Sequence, residues 1–400
     1  MRNTRARQTQ QPIVYWDNAA TTYPKPPAVR AAVGDALMRY GANPGRGGHR
    51  MSLAAAEAVY GCREEAAAFF GLEDPSGVVF TLNCTMALNT VLHGVAADGG
   101  RVLISDLEHN SVLRPLHALS PMRPRYDIAA WSPDEDETVE NFRRKIRPDT
   151  RLIVCTHASN AFGVTMPIRR LGALAHEHGL LFCVDAAQTA GVLPIDMAAD
   201  GIDYLCIAGH KGLYAPMGTG LLLCRERERV APLLRGGTGS LSLRPEQPGE
   251  LPDRLESGTV NTPGICGMLA GLRFLRARGR ENIYAHELRL LCLVYDELSR
   301  IPGVRLYTPR PAAGRSAPVL SVNVDGVSCE RAAQLLDHAG VAVRAGLQCA
   351  PLAHRRFGTL PEGTVRLSPS VFSTEKEAAL IGKLFRQIAQ KPLHETENML

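Results

Sequence analysis

Residues 344–358, RAGLQCAPLAHRRFG, place Cys349 between a glycine-bearing turn and a proline, with Arg344, His354, Arg355 and Arg356 close by in sequence. Cysteines that only pack sit in apolar runs, as Cys183 does in LLFCVD. A thiol among turn-formers and cations is in surroundings expected to favour the thiolate, its nucleophilic form. A second group of reactive side chains stands where short apolar runs end. LLFCVDAAQ ends in Asp185, with Gln188 three residues on; DYLCIAGHKG ends in His210 and Lys211; VVFTLNCTMALN ends in Cys84 and Thr85 where helical spacing begins. Taken singly, a strand-end acid reads as a turn former and a strand-end lysine as a solvated charge. Together they mark the crevice at the carboxyl ends of strands, where open α/β sheets bind ligands.

The elements that must position these groups are legible between residues 78 and 224. Short β-rich runs (VVFT, RVLIS, RLIVCT, LLFCVD, DYLCIA, TGLLLC) alternate with helix-period segments, the pattern of a mostly parallel sheet with helices on its faces. The clearest βαβ unit spans 151–185. Its helix opens at Pro167, presents Ile168, Leu171, Leu174 and Ala175 on one face, and stops at Gly179. From about residue 265 the pattern changes to two long helical stretches, the short strands RLYT, VLSVNV, VAVRA and TVRLS, and a last helix near 375–390, which suggests a second, smaller α/β domain. The expected division is a tail over 1–12, a large domain over 13–264 whose first segment packs with the small domain, and a small domain over 265–400 carrying the Cys349 loop.

At 400 residues and 45% hydrophobic, the chain can bury a sizeable core. Its net charge of +5 is spread out, and the one local basic excess, MRNTRAR, has no aromatic interleaving, so no nucleic-acid partner is expected. No apolar signal follows the N-terminus and no run approaches the length of a membrane span, so a cytoplasmic protein with no membrane partner is expected. Ten cysteines at irregular spacings, with no C-x-x-C pair, read as reduced thiols. No structural zinc site is expected; HEHG at 176–179 lacks the spaced second histidine. GTG at 218–220 and GK at 382–383 are incomplete phosphate fingerprints.

From YWDNAATTYPKP to VRLSPSVFST, through ANPGRGGHRMS, LEHNS, HASNAFGVTMPI, VDAAQTAG, AGHKGLYAPMGTGLL, ESGTVNTPGI and RAGLQCAP, the chain resembles the class V pyridoxal-phosphate enzymes, and within them the short-loop cysteine desulfurases. The resemblance implies the type I pyridoxal-phosphate-dependent transferase fold, with a large domain built on a mostly parallel seven-stranded sheet and a smaller α/β C-terminal domain, assembled as a homodimer. It implies that Lys211 carries the cofactor and serves as the base at Cα. Asp185 would pair with the pyridine nitrogen, Gln188 and Asn160 would hold the ring-oxygen edge, and His109 would stack on the ring. Cys84, Thr85 and His210 would cradle the phosphate, with Thr259 reaching it from the partner subunit. Arg366 would clamp the substrate carboxylate, with Arg344 as its first substitute.

The chain departs from the family at the phosphate turn, where Asn83-Cys84-Thr85 replaces Gly-Thr-Thr, and at Ala208, where some relatives carry a serine. Neither removes the core chemistry. The resemblance further implies that L-cysteine, or selenocysteine, is the substrate, that Cys349 takes its sulfur as a persulfide while alanine leaves, and that a sulfur-acceptor protein follows, in iron–sulfur assembly or another pathway. Rival readings are another class V lyase, transaminase or epimerase, which has no use for Cys349, and an inactive scaffold, which has no use for Lys211, Asp185 and Arg366 together.

Overall fold

The computed structural model describes residues 13–390 apart from 46, 97–98 and 120–124; the tail expected over 1–12 lies outside the described residues. The chain opens with β1 (Val14–Tyr15), then α1 (Pro27–Arg39) and α2 (Arg50–Phe70). Gly71 ends α2 in the left-handed conformation, φ 68°, that glycine adopts without strain. Next come β2 (Val78–Thr81), α3 (Cys84–Ala96), β3 (Arg101–Ser105), α4 (Asn110–Leu119), β4 (Arg125–Ala129), α5 (Glu135–Arg143), β5 (Thr150–Thr156), α6 (Ile168–Glu177), β6 (Leu181–Asp185), β7 (Tyr204–Ala208) and β8 (Gly220–Cys224). These strands form one seven-stranded sheet in the order β2-β8-β7-β6-β5-β3-β4, with β8 antiparallel to both neighbours and the other pairs parallel.

Because both faces are covered, β2, β3, β6, β7 and β8 are buried at every residue, which is why they appear in the sequence as unbroken apolar runs. One face packs Leu88, Val91 and Leu116 of α3 and α4 on Val102, Val154 and Cys183. The other packs Phe70 and Leu171 of α2 and α6 on Leu103, Ile153 and Phe182.

The remaining elements are α7 (Thr262–Arg278), α8 (Arg280–Leu298), β9 (Val304–Leu306), β10 (Leu320–Val324), α9 (Cys329–His338), β11 (Val341–Ala342), α10 (Pro351–Arg356), β12 (Val365–Leu367) and α11 (Glu375–Gln390). Strands β12-β10-β9 form an antiparallel sheet, and β1 pairs in parallel with β11, Val14 opposite Val341. A separate apolar cluster joins Trp16, from the first described turn, to Leu290, Val322 and Phe385. The N-terminal segment is thereby built into the C-terminal core. Among the described residues no helix is long and apolar enough to cross a membrane, and no cluster of His, Cys, Asp and Glu could hold a metal ion.

Candidate active site

The carboxyl ends of β5, β6 and β7, the starts of α3 and α4, and the loop after β11 close around a cavity of about 220 Å³. A larger hollow of about 1100 Å³ lies at the opposite end of the sheet, among Gly94, Asp149, Gly179 and Arg229, and holds none of the reactive groups. Chemistry follows the strand ends, as the topology requires.

Lys211 reaches the cavity from the turn after β7. The next residue is Gly212, where a Cβ would overlap the Ala190 carbonyl, so the turn lies directly on the segment that follows Asp185. Burial, and next the Arg366 cation, hold the Lys211 ammonium down to about 8, against the pull of Asp185. A neutral, nucleophilic amine is therefore accessible near neutral pH. The His210 carbonyl before it is held by Thr22 N at 3.2 Å, Thr21 Oγ1 at 3.1 Å and Lys25 Nζ at 2.6 Å. The His210 ring lines the cavity with Nδ1 buried and without a partner; burial, then the Lys211 and Lys25 cations, lower its pKa to about 4.

Asp185 is 4% exposed, and its Oδ1 accepts Ala187 N at 2.9 Å and Cys84 Sγ at 3.3 Å. That second bond gives the Cys84 side chain a partner of its own. Its thiol is turned to the carboxylate and not offered to a phosphate; burial, followed by the Asp185 charge, keeps the thiol protonated and a donor. The α3 start is left open to an anion: Asn83 Oδ1 caps Met86 N at 2.9 Å, whereas the Cys84 and Thr85 N–H groups have no helical carbonyl one turn back.

His109 and Thr85 meet through Ser111, which the sequence reading passed over although it stands in LEHNS. Ser111 N donates to His109 Nδ1 at 3.0 Å, and Ser111 Oγ lies 2.8 Å from both His109 Nδ1 and Thr85 Oγ1. An Nδ1 that accepts leaves the proton of the neutral ring on Nε2; burial favours that neutral form. Gln188 Nε2 donates to Ala19 O at 3.2 Å and Asn160 Nδ2 to Gln348 O at 2.6 Å, which leaves each amide a second hydrogen.

Arg366 is 2% exposed, with Nη2 on Asp17 Oδ1 at 2.7 Å, Nη1 on Asn160 O at 3.0 Å, and Nε buried without a partner. Asp17, also missed in the sequence, is its counter-ion. Arg344 is exposed, lines the same cavity, and pairs with Arg366 through Arg366 N to Arg344 O at 2.7 Å.

Cys349 is exposed and faces this cavity. His354, expected among its cations, is fully buried and hydrogen-bonded, and burial lowers its pKa to about 4, so it carries no charge there at neutral pH. Arg356 is engaged by the Trp131 carbonyl and lies 3.7 Å from Asp106. Thr259 is exposed and does not line the cavity; it borders a separate groove with Leu82, Met86 and Leu234.

The groups left open fit pyridoxal phosphate. A fixed carboxylate suits a protonated ring nitrogen, an amine of lowered pKa suits a carbonyl carbon, and the open His210 Nδ1 and α3 start suit a phosphate.

Residues 14–381 match the aminotransferase class-V family model. A probable cysteine desulfurase from Methanothermobacter thermautotrophicus is 33% identical over 389 residues, covering 94% of each chain. Another, from Synechocystis, is 32% identical over 92% of this chain and 89% of its own. The apo structure of a cysteine desulfurase from Thermococcus onnurineus superposes with a TM-score of 0.87 at 31% identity, covering 94% of this chain and 95% of that one. An Escherichia coli cysteine desulfurase, solved as its S-sulfonic acid, gives 0.83 at 26% identity, covering 94% of both. With its lysine, carboxylate and anion-binding helix start gathered at the strand ends, and with the family model matching nearly its whole length, this chain belongs to the class-V aminotransferase family of pyridoxal-phosphate enzymes.

Proposed function

We propose that the chain is a cysteine desulfurase that converts L-cysteine to L-alanine and captures the sulfur on Cys349. The observation that carries this reading is an exposed thiol at the mouth of the cavity that holds Lys211 and Asp185. Bound pyridoxal phosphate supplies the electron sink that makes the Cα proton removable and the C–S bond breakable. Lys211 and Asp185 would hold it, with His109 on the ring, Gln188 and Asn160 toward the ring-oxygen edge, and Thr85 and His210 toward the phosphate.

Arg366 orients the substrate carboxylate through its open Nε and a remaining Nη hydrogen, so that Cα lies before Lys211. Lys211 as the free amine takes the Cα proton. The Cys349 thiolate then attacks the substrate sulfur: an S–S bond forms, the C–S bond breaks, and its electron pair stays with the carbon, which takes up protons to become alanine. One thiol and one cysteine thus give one persulfide and one alanine, with no external oxidant. An acceptor thiol then attacks the outer sulfur and releases Cys349.

The dimer reading draws support from large apolar side chains left exposed on α1 and α2, Leu37, Met38, Met51, Leu53 and Tyr60, and from the exposed Thr259 beside Leu82 and Leu234. Ten unpaired cysteines support a reducing, cytoplasmic location. The test of the function is to add L-cysteine to the holoenzyme and measure alanine and sulfide. Formation of both supports the proposal; absence of both, with cofactor bound, refutes it.

A further inference from the structure

Gln348 and Cys349 both hold left-handed backbone, at φ 42° and 60°. Residues with side chains disfavour this conformation, and two in succession persist only where their surroundings over-determine them. A closed set of hydrogen bonds does so. Gln348 Nε2 donates to the Thr364 carbonyl at 2.8 Å, which assigns Oε1 as acceptor, and His354 Nε2 lies 2.9 Å from it. A neutral ring that donates from Nε2 accepts at Nδ1, where the Thr359 hydroxyl stands at 2.7 Å. The Gln348 carbonyl takes Asn160 Nδ2 at 2.6 Å, and the Cys349 carbonyl takes Asn110 N at 2.8 Å. His354 is itself seated against Phe162, with ring centroids 5.1 Å apart.

We propose that His354, acting through the Gln348 amide, is a positioning residue that locks the Cys349 backbone in its left-handed turn and so aims the thiol at the cavity. The proposal rests on Cys349 as the sulfur acceptor. It adds that the thiol is held ready before substrate arrives, so that capture needs no loop ordering. A locked thiol does not travel, so the next sulfur acceptor must come to it.

His354→Phe keeps a ring against Phe162 but removes the N–H, and His354→Gln restores an amide N–H near the Nε2 position. For His354→Phe we expect wild-type affinity for pyridoxal phosphate, the wild-type spectral response to L-cysteine and an unchanged KM. Single-turnover persulfide formation should fall about 10- to 100-fold, and His354→Gln should recover most of it. Wild-type sulfur capture in His354→Phe overturns the proposal, as does a loss matched by lost cofactor affinity and not recovered by His354→Gln. A second readout needs no sulfur chemistry: amide exchange at Asn110 and Ala350, whose acceptors are the Cys349 and Leu347 carbonyls. Faster exchange in His354→Phe supports the lock, and unchanged exchange refutes it even where Cys349 is the acceptor. Sulfur extraction that survives Cys349→Ser refutes the underlying reading instead.

Discussion

Arg366 meets its substrate already paired. Asp17 fixes one end of the guanidinium, and the Asn160 carbonyl holds a second donor, which leaves the buried Nε as the open edge. Arg366→Ala should therefore lose about 2 to 4 kcal/mol of transition-state binding, tens to several hundred-fold in kcat/KM for L-cysteine, and Arg366→Lys should recover little because an ammonium cannot reproduce the fork. Unchanged L-cysteine affinity in Arg366→Ala would move the clamp to Arg344. Lys211→Ala should lose both the visible absorbance of bound cofactor and turnover; an active mutant with the wild-type spectrum would contradict the assignment of Lys211. Asp185, Lys211 and Cys349 could be found in the sequence because each stands at a break in an apolar run or in a turn. Asp17 could not, since its partner Arg366 is brought by the fold from 349 residues away; Ser111 stands two residues from His109 in LEHNS, and only its link to Thr85, 26 residues off, is hidden in the sequence.

The loop that carries Cys349 depends on the element behind it. Gly346 and Thr364 exchange backbone hydrogen bonds of 3.1 Å in both directions, and Gly363, at φ 78°, sits where a Cβ would overlap the Gly346 backbone. Gly363→Ala should cost about 1 to 3 kcal/mol, read from the urea midpoint, because it joins a strained φ to a backbone clash; wild-type stability would show that the loop base tolerates a side chain. The central strands were legible because burial on both faces leaves continuous apolar runs. Strand β4 was not, since at the sheet edge Tyr126, Asp127 and Ile128 are only half-buried and leave no such run. His354 looks like a cation in the sequence for a related reason. Its neighbours in sequence are arginines, whereas its neighbours in space are Phe162, Gln348 and Thr359.

Across the whole molecule, buried titratable groups set how stability follows pH. Burial holds His157, His210 and His354 at about 4, below the 6.5 of a free imidazole, so their contribution is complete above pH 6.5 and is lost as pH falls through 4. Burial raises Glu108 and Glu287 to about 8 from 4.5, so theirs is complete below pH 4.5 and is lost as pH rises through 8. With three imidazoles against two carboxyls, stability rises to a maximum near pH 6.5. Thermal melts should therefore show Tm falling from pH 6.5 to 8, and Glu287→Gln, which has no proton to lose, should fall less; an equal fall would remove Glu287 from the cause. What defines the reaction is where the sulfur goes. The most direct measurement is mass spectrometry of every cysteine peptide after brief exposure of the holoenzyme to L-cysteine, beside Cys349→Ser treated alike. The account predicts one added sulfur on the Cys349 peptide, and in Cys349→Ser a retained cofactor spectrum with no persulfide. Added sulfur on Cys84 or Cys62, or alanine and sulfide released by Cys349→Ser at the wild-type rate, would contradict it.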